Sequence, residues 1–165
     1  VSLSSVGRST SYSAANAFNS PLTGMLPSSR SSTRAPTSVT TLRVRYAETD
    51  KMGVVYYANF LVWFEVARAD LLRSLGWTYR EMEAAGVSLP VIGAHCEYQR
   101  PARYDDESEV RTEGQMLSAV RMQFNYIGVR REDGVVAAAG HTVHAAVDPA
   151  GRPCRLPDRI KQAFQ

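Results

Sequence analysis

The sequence predicts an α+β domain in which a curved antiparallel sheet wraps one long central helix. Three observations predict it. One alternating segment stands ahead of the only long helical stretch, that stretch is apolar on most of its circumference, and alternating segments follow one another after Gly86. A helix that is apolar nearly all round has to be enclosed rather than laid on a surface, and alternation at period two marks strands with one buried face.

Taken in order, TLRVRYA from Thr41 sets Leu42, Val44 and Tyr46 against Arg43 and Arg45, so it reads as the first strand with those three residues buried. In ANFLVWFEVARADLLRSLG, Phe60, Phe64, Ala67, Leu71 and Leu75 recur at helical spacing, and Leu61, Trp63, Val66 and Leu72 widen the stripe. Asn59 fits an N-cap and Gly76 a C-terminal stop. TYREMEAAG predicts a second, shorter helix ending at Gly86. Ala94, Cys96 and Tyr98 then alternate with His95, Glu97 and Gln99. The run from Glu107 to Met116 and the run from Val120 to Tyr126 do the same, and Asp133-Gly134 supplies a hairpin turn into 135–147. The meander closes at the DPAG turn, residues 148–151. This plan, one strand, a buried helix and four antiparallel strands, is the hotdog fold.

The N-terminal part is different in kind. Residues 1–40 are rich in Ser, Thr, Ala and Pro and poor in large apolar side chains, a composition that does not bury enough surface to offset the entropy of ordering. They are expected to be a disordered extension ahead of a domain at 41–165. Being basic and free of acids, they also resemble an organelle transit peptide; the plainer expectation is an over-long extension, with Met25 available as a later start. The chain carries 19 basic and 16 acidic residues, and Arg8, Arg30 and Arg34 account for the whole excess. The predicted domain is therefore neutral, which leaves nucleic acid without an electrostatic footprint. Cys96 and Cys154 form no CxxC pair, so neither a zinc site nor a disulfide framework is indicated and a reducing cytoplasm is expected. The apolar stretch from Met52 to Phe64 is too short to span a membrane.

The residue pattern with most chemical meaning is ETDKMGVVYYANF, residues 48–60. Asp50 precedes a turn at Gly53 that returns the chain to the start of the apolar helix, where unpaired N–H groups accept an anion or a developing oxyanion. The nearest charged side chains in sequence are Lys51 and Glu48. A carboxylate held there, expected to be ionised at neutral pH, would attack an acyl carbon or deprotonate a water while the amides hold the tetrahedral charge. From spacing alone, an Asp before a helix more often serves as a loop or capping acid.

ETDKMGVVYYANFLVWFEVARADLLR, continued by YQRPARYDDE at 98–107, resembles the hotdog-fold acyl-CoA thioesterases of the 4-hydroxybenzoyl-CoA thioesterase type, including the Tol-Pal-associated branch; the similarity covers about residues 41–160. The resemblance implies that Asp50 is the catalytic carboxylate, acting as nucleophile or general base, and that the backbone N–H of Tyr57 polarises the thioester carbonyl. It implies Gly53, Tyr56 and Asn59 around the substrate, an acyl-CoA thioester as partner, no metal, and no cofactor beyond the coenzyme A of the substrate. It also implies a homodimer with a continuous sheet, often doubled to a homotetramer, with sites at the dimer interface. The Tol-Pal-associated branch commonly has His where this chain has Tyr57, so no histidine is present to share the work of Asp50.

Glu65 and Arg68 are expected to pair with each other or with a partner chain; Glu65 is a secondary acid, since some hotdog thioesterases carry theirs on this helix. Arg121 resembles the place where family members set a basic group against coenzyme A phosphates, with Arg100, Arg103, Arg130 and Arg131 as weaker candidates. His141 and His144 fall on different faces of the last strand and His95 stands alone, so all three are read as structural. A hotdog dehydratase would need a histidine between Thr41 and Pro90, where there is none. A non-catalytic acyl-CoA-binding or regulatory domain remains the competing reading.

Overall fold

The computed structural model describes residues 35–164. Residues 1–34, which hold most of the expected extension, lie outside the described residues. Strand β1 spans Thr37–Arg43, so folded structure starts four residues ahead of Thr41, and Thr40 is buried. The strand also stops earlier than the alternation predicts. Val44 is buried, but Tyr46 opens a 3-10 turn over Tyr46–Glu48 and is exposed.

Helix α1 follows at Asn59–Ser74. Its N-cap is Ala58, not Asn59, and no side chain caps it; the Asn59 amide is used elsewhere, as described below. Gly76 does end it, with its N–H on the Arg73 carbonyl. Helix α2, Tyr79–Ala84, starts in a reciprocal box in which the Thr78 hydroxyl accepts from the Glu81 N–H and the Glu81 carboxylate accepts from the Thr78 N–H.

Strands β2 (Val91–Tyr98), β3 (Glu107–Ser118), β4 (Arg121–Arg130) and β5 (Val136–Ala145) complete a five-stranded antiparallel sheet in the order β1-β3-β4-β5-β2. This is the hotdog arrangement. A short helix, α3 (Asp158–Ala163), which the sequence analysis does not predict, buries Ile160. Phe164, just after it, lies over Gly114, where an added Cβ would run into the ring, so glycine leaves room for the contact.

The sheet presents Val110, Met122, Phe124, Tyr126, Ala138, Thr142 and His144 to α1, which answers with Phe60, Trp63, Phe64, Ala67, Leu71 and Leu72. Phe64 stacks on Tyr126 with centroids 4.4 Å apart and planes within 3°. The expectation of an enclosed helix is only half met. Leu61, Val62 and Val66 are exposed, because one sheet covers one face. The Glu65–Arg68 pair is likewise absent: Glu65 is exposed and in no ion pair among the described residues, while Arg68 is buried and donates from Nε to the Tyr79 hydroxyl at 2.6 Å.

Arg68 also faces the Tyr126 hydroxyl, and from there a hydrogen-bonded chain runs through the core. Tyr126 Oη lies 2.8 Å from Thr142 Oγ1, Thr142 Oγ1 lies 2.9 Å from His144 Nε2, and His144 Nδ1 lies 3.0 Å from the Leu89 carbonyl. Burial holds the His144 imidazole down at about 4, so it is neutral. A carbonyl only accepts, so Nδ1 carries the proton; Thr142 then donates to the bare Nε2, and Tyr126 donates to Thr142. His95, read as solitary, sits opposite His141 across β2 and β5, with ring centroids 5.4 Å apart.

Candidate active site

The loop between β1 and α1 is a miniature hairpin. Asp50 N–H donates to the Val54 carbonyl at 2.9 Å, Gly53 N–H donates to the Asp50 carbonyl at 2.9 Å, and Thr49 bridges Val55. Gly53 sits at φ +71°, in the left-handed region where a side chain would strain the turn. Within it the half-buried Asp50 folds back so that Oδ1 accepts the Met52 N–H at 2.8 Å. This satisfies one oxygen. Among the described residues Asp50 makes no ion pair, and its Oδ2 has no partner.

Helix α1 begins tightly, with Asn59 N–H on the Tyr56 carbonyl, Phe60 N–H on that of Tyr57 and Leu61 N–H on that of Ala58. The two preceding amides, Tyr57 and Ala58, have no acceptor among the described residues. They are the free donors of a helix N-terminus, where the backbone carries partial positive charge. A carboxylate with spare acceptor capacity and a pair of amides with spare donor capacity thus share one stretch of the loop, residues 50–58. Such a pair suits addition to a carbonyl, where negative charge grows on oxygen while a nucleophile or base works on carbon.

Aromatic rings surround these amides. Tyr56 and Tyr57 stand 4.5 Å apart, Tyr57 and Tyr98 6.3 Å, and Phe60 and Tyr98 5.6 Å by centroid. Tyr56, Tyr57 and Tyr98 are all partly exposed. The Tyr98 hydroxyl, which sequence reasoning missed, donates to the Tyr57 carbonyl at 3.3 Å.

The remaining candidates are placed unequally. Asn59 turns inward: its Nδ2 donates to the Glu48 carbonyl at 2.8 Å, so its amide organises the loop rather than facing a ligand. Arg121 opens β4, and the ten residues of that strand carry it about 30 Å from the end that holds Asp50, at roughly 3.3 Å per residue. Within one chain it does not join the site. Arg130 and Arg131 are at the right end but occupied, by Asp133 and by Glu107 and Glu109. Arg103 and Arg100 stand at the same end, exposed and without an ion pair among the described residues. Glu65 lies on the exposed side of α1. Among the described residues no cluster of His, Cys, Asp and Glu could hold a metal, and no helix is long and apolar enough to cross a membrane.

An antiparallel sheet in the order β1-β3-β4-β5-β2 packed on one long helix defines a protein of the hotdog fold. The family comparison makes that more specific: residues 44–164 match the thioesterase-like superfamily, and the chain belongs to it, a thioesterase of the hotdog fold. It is 36% identical over 123 residues to the putative acyl-CoA thioesterase YneP of Bacillus subtilis, covering 74% of this chain and 86% of that one. It is 33% identical over 125 residues to the acyl-CoA thioester hydrolase YbgC of Escherichia coli, covering 75% and 92%. Among solved structures, the DHNA-CoA thioesterase of Staphylococcus aureus superposes with a TM-score of 0.74 at 33% identity, covering 78% of this chain and 88% of that one.

Proposed function

We propose that the protein hydrolyses an acyl-CoA thioester to a free carboxylic acid and coenzyme A, with Asp50 as nucleophile or general base and the Tyr57 N–H as oxyanion donor. The observation that carries this reading is the unpaired Tyr57 and Ala58 amides on the same β1–α1 loop as the half-satisfied Asp50 carboxylate. The names of the relatives support the substrate class. As a nucleophile, Asp50 adds to the acyl carbon, the thiolate of coenzyme A leaves and takes a proton, and water opens the resulting anhydride. As a general base, it takes a proton from the water that adds. Either way the oxyanion rests on the amides, and one such donor is worth about 3 kcal/mol of the barrier. The partly exposed tyrosines favour a flat acyl group over the amides.

The enzyme works as a dimer in this reading. Among the described residues, strand β2 is a sheet edge paired only to β5, its Val91, Ile92 and Tyr98 are exposed, and so are Leu61, Val62 and Val66 of α1, an apolar surface and an open edge that a second copy would cover. Antiparallel pairing of two β2 strands about a twofold sets the Val91 end of one against the Tyr98 end of the other. Arg121 of the partner subunit then lies about three strand spacings, roughly 14 Å, from β2 at the active end, suited to coenzyme A phosphates.

Thiol release measured over a panel of short aliphatic, medium aliphatic and aromatic acyl-CoA thioesters tests the proposal. Turnover of at least one class is expected, with aromatic acyl groups preferred. Saturable binding of acyl-CoA with no turnover of any member would favour the regulatory domain instead.

A further inference from the structure

Glu48 is a buried charge that hydrolysis leaves unused. Only 6% of its surface is exposed, yet its carboxylate is held from three directions. Oε2 accepts the Arg45 N–H at 2.8 Å, while Oε1 accepts the Arg45 guanidinium at 3.0 Å and the Trp63 indole at 3.1 Å. Burial pushes its pKa up, but these three donors outweigh that and hold the carboxyl below the ordinary carboxylate range. A buried carboxylate is costly unless it is bonded in this way, and here the bonds tie the 3-10 turn to the second turn of α1.

The backbone of the same residue does the complementary work. The Glu48 carbonyl accepts the Tyr56 N–H at 2.8 Å and the Asn59 Nδ2 at 2.8 Å. Residue 48 is thus where the loop enters, where it leaves and where the helix begins. Asp50 is two residues downstream of this anchor on the way in, and the Tyr57 amide is one residue beyond the anchored Tyr56 on the way out.

We propose that Glu48 is a positioning residue: its carboxylate, locked between Arg45 and Trp63, fixes the carbonyl that sets the Tyr57 amide and the Asp50 carboxylate in their mutual geometry. The catalytic part of this inference rests on the reading of Asp50 and Tyr57 as the reacting groups; the structural part does not. Glu48→Gln keeps the shape and one acceptor oxygen but removes the charge and turns an amide toward donors. Trp63→Phe keeps the apolar bulk and removes one donor, and serves if the first variant does not fold.

Two readouts on folded protein, well below the melting temperature, separate positioning from simple stabilisation. In Glu48→Gln, hydrogen exchange at the Tyr56 amide is expected to quicken about tenfold while amides in the centre of β4 keep their protection. On the acyl-CoA that the wild type turns over, kcat is expected to fall about tenfold or more with KM within about twofold, the signature of a displaced reacting group. Trp63→Phe is expected to show both effects at about threefold. A lowered melting temperature with unchanged kcat and unchanged Tyr56 exchange overturns the proposal. If the wild type turns over no acyl-CoA, the hydrolase reading fails, and unchanged exchange at Tyr56 still overturns the anchoring role of Glu48.

Discussion

Two polar regions of this molecule spend their hydrogen bonds in opposite ways. The chain Arg68, Tyr126, Thr142, His144 crosses the core with each donor aimed at an acceptor, ending on the Leu89 carbonyl. The loop from Glu48 to Ala58 leaves two amides and a carboxylate oxygen unpaired among the described residues at an accessible end of the same helix. Buried polar groups must be satisfied because nothing else will solvate them. Groups left unsatisfied near the surface are available to a substrate. The contrast teaches that here reactivity is read from spare hydrogen-bonding capacity rather than from how many polar groups gather in one place.

Perturbing the core chain should change stability and leave chemistry alone. The largest such effect is with pH. The folded His144 pKa of about 4 lies below the ordinary 6.5, so below 6.5 the unfolded chain binds a proton the folded one refuses. This contribution to stability is complete above 6.5 and is lost as pH falls from 6.5 toward 4. Urea unfolding at pH 7 and pH 5 should show about 2 kcal/mol of lost stability, and His144→Gln should flatten that slope; a wild-type curve already flat over this range would break the comparison.

Next comes Thr142→Val, which removes the hydroxyl that accepts from Tyr126 and donates to His144. It should cost about 1–3 kcal/mol in chemical denaturation, the penalty for orphaned buried groups, with kcat per folded molecule unchanged. The smallest effect is expected at Tyr57→Phe. Only its backbone N–H enters the proposed chemistry, so kcat should stay within about twofold of wild type, and a larger loss would give the phenol a part the backbone reading denies it.

Much of the fold was legible because alternation and helical spacing are local signals. Strands β3, β4 and β5 fall where Ser108, Met122 and the Asp133-Gly134 turn place them, and α1 ends at Gly76 as read. Tyr46 departs from the expected strand because a 3-10 turn continues the alternation after the strand has ended, and the six-residue α3 is too short for periodicity to register. The surrounding expected for α1 came from counting Leu61 and Val66 as core. The sequence does encode that apolar face, but no part of the chain among the described residues covers it.

At the site, Asp50, Gly53 and Tyr57 stand out as a local pattern. Asn59 was assigned to a cap and to substrate, whereas its amide holds the Glu48 carbonyl across 11 residues. Glu48 itself was noticed only as a nearby charge, since its bond to Trp63 spans 15 residues and no spacing rule reaches that far. Arg68 looked like half of a helical ion pair because Glu65 is one turn away, yet burial turns it toward Tyr79 instead.

The central claim is that Asp50 does chemistry rather than cap a turn, and thiol release by wild type and Asp50→Asn on the same acyl-CoA tests it most directly. Asn retains the oxygen that accepts the Met52 N–H, so the hairpin should persist with an unchanged melting temperature. The expected result is a fall in kcat of about 10²–10⁴-fold; equal rates for the two proteins would contradict the account.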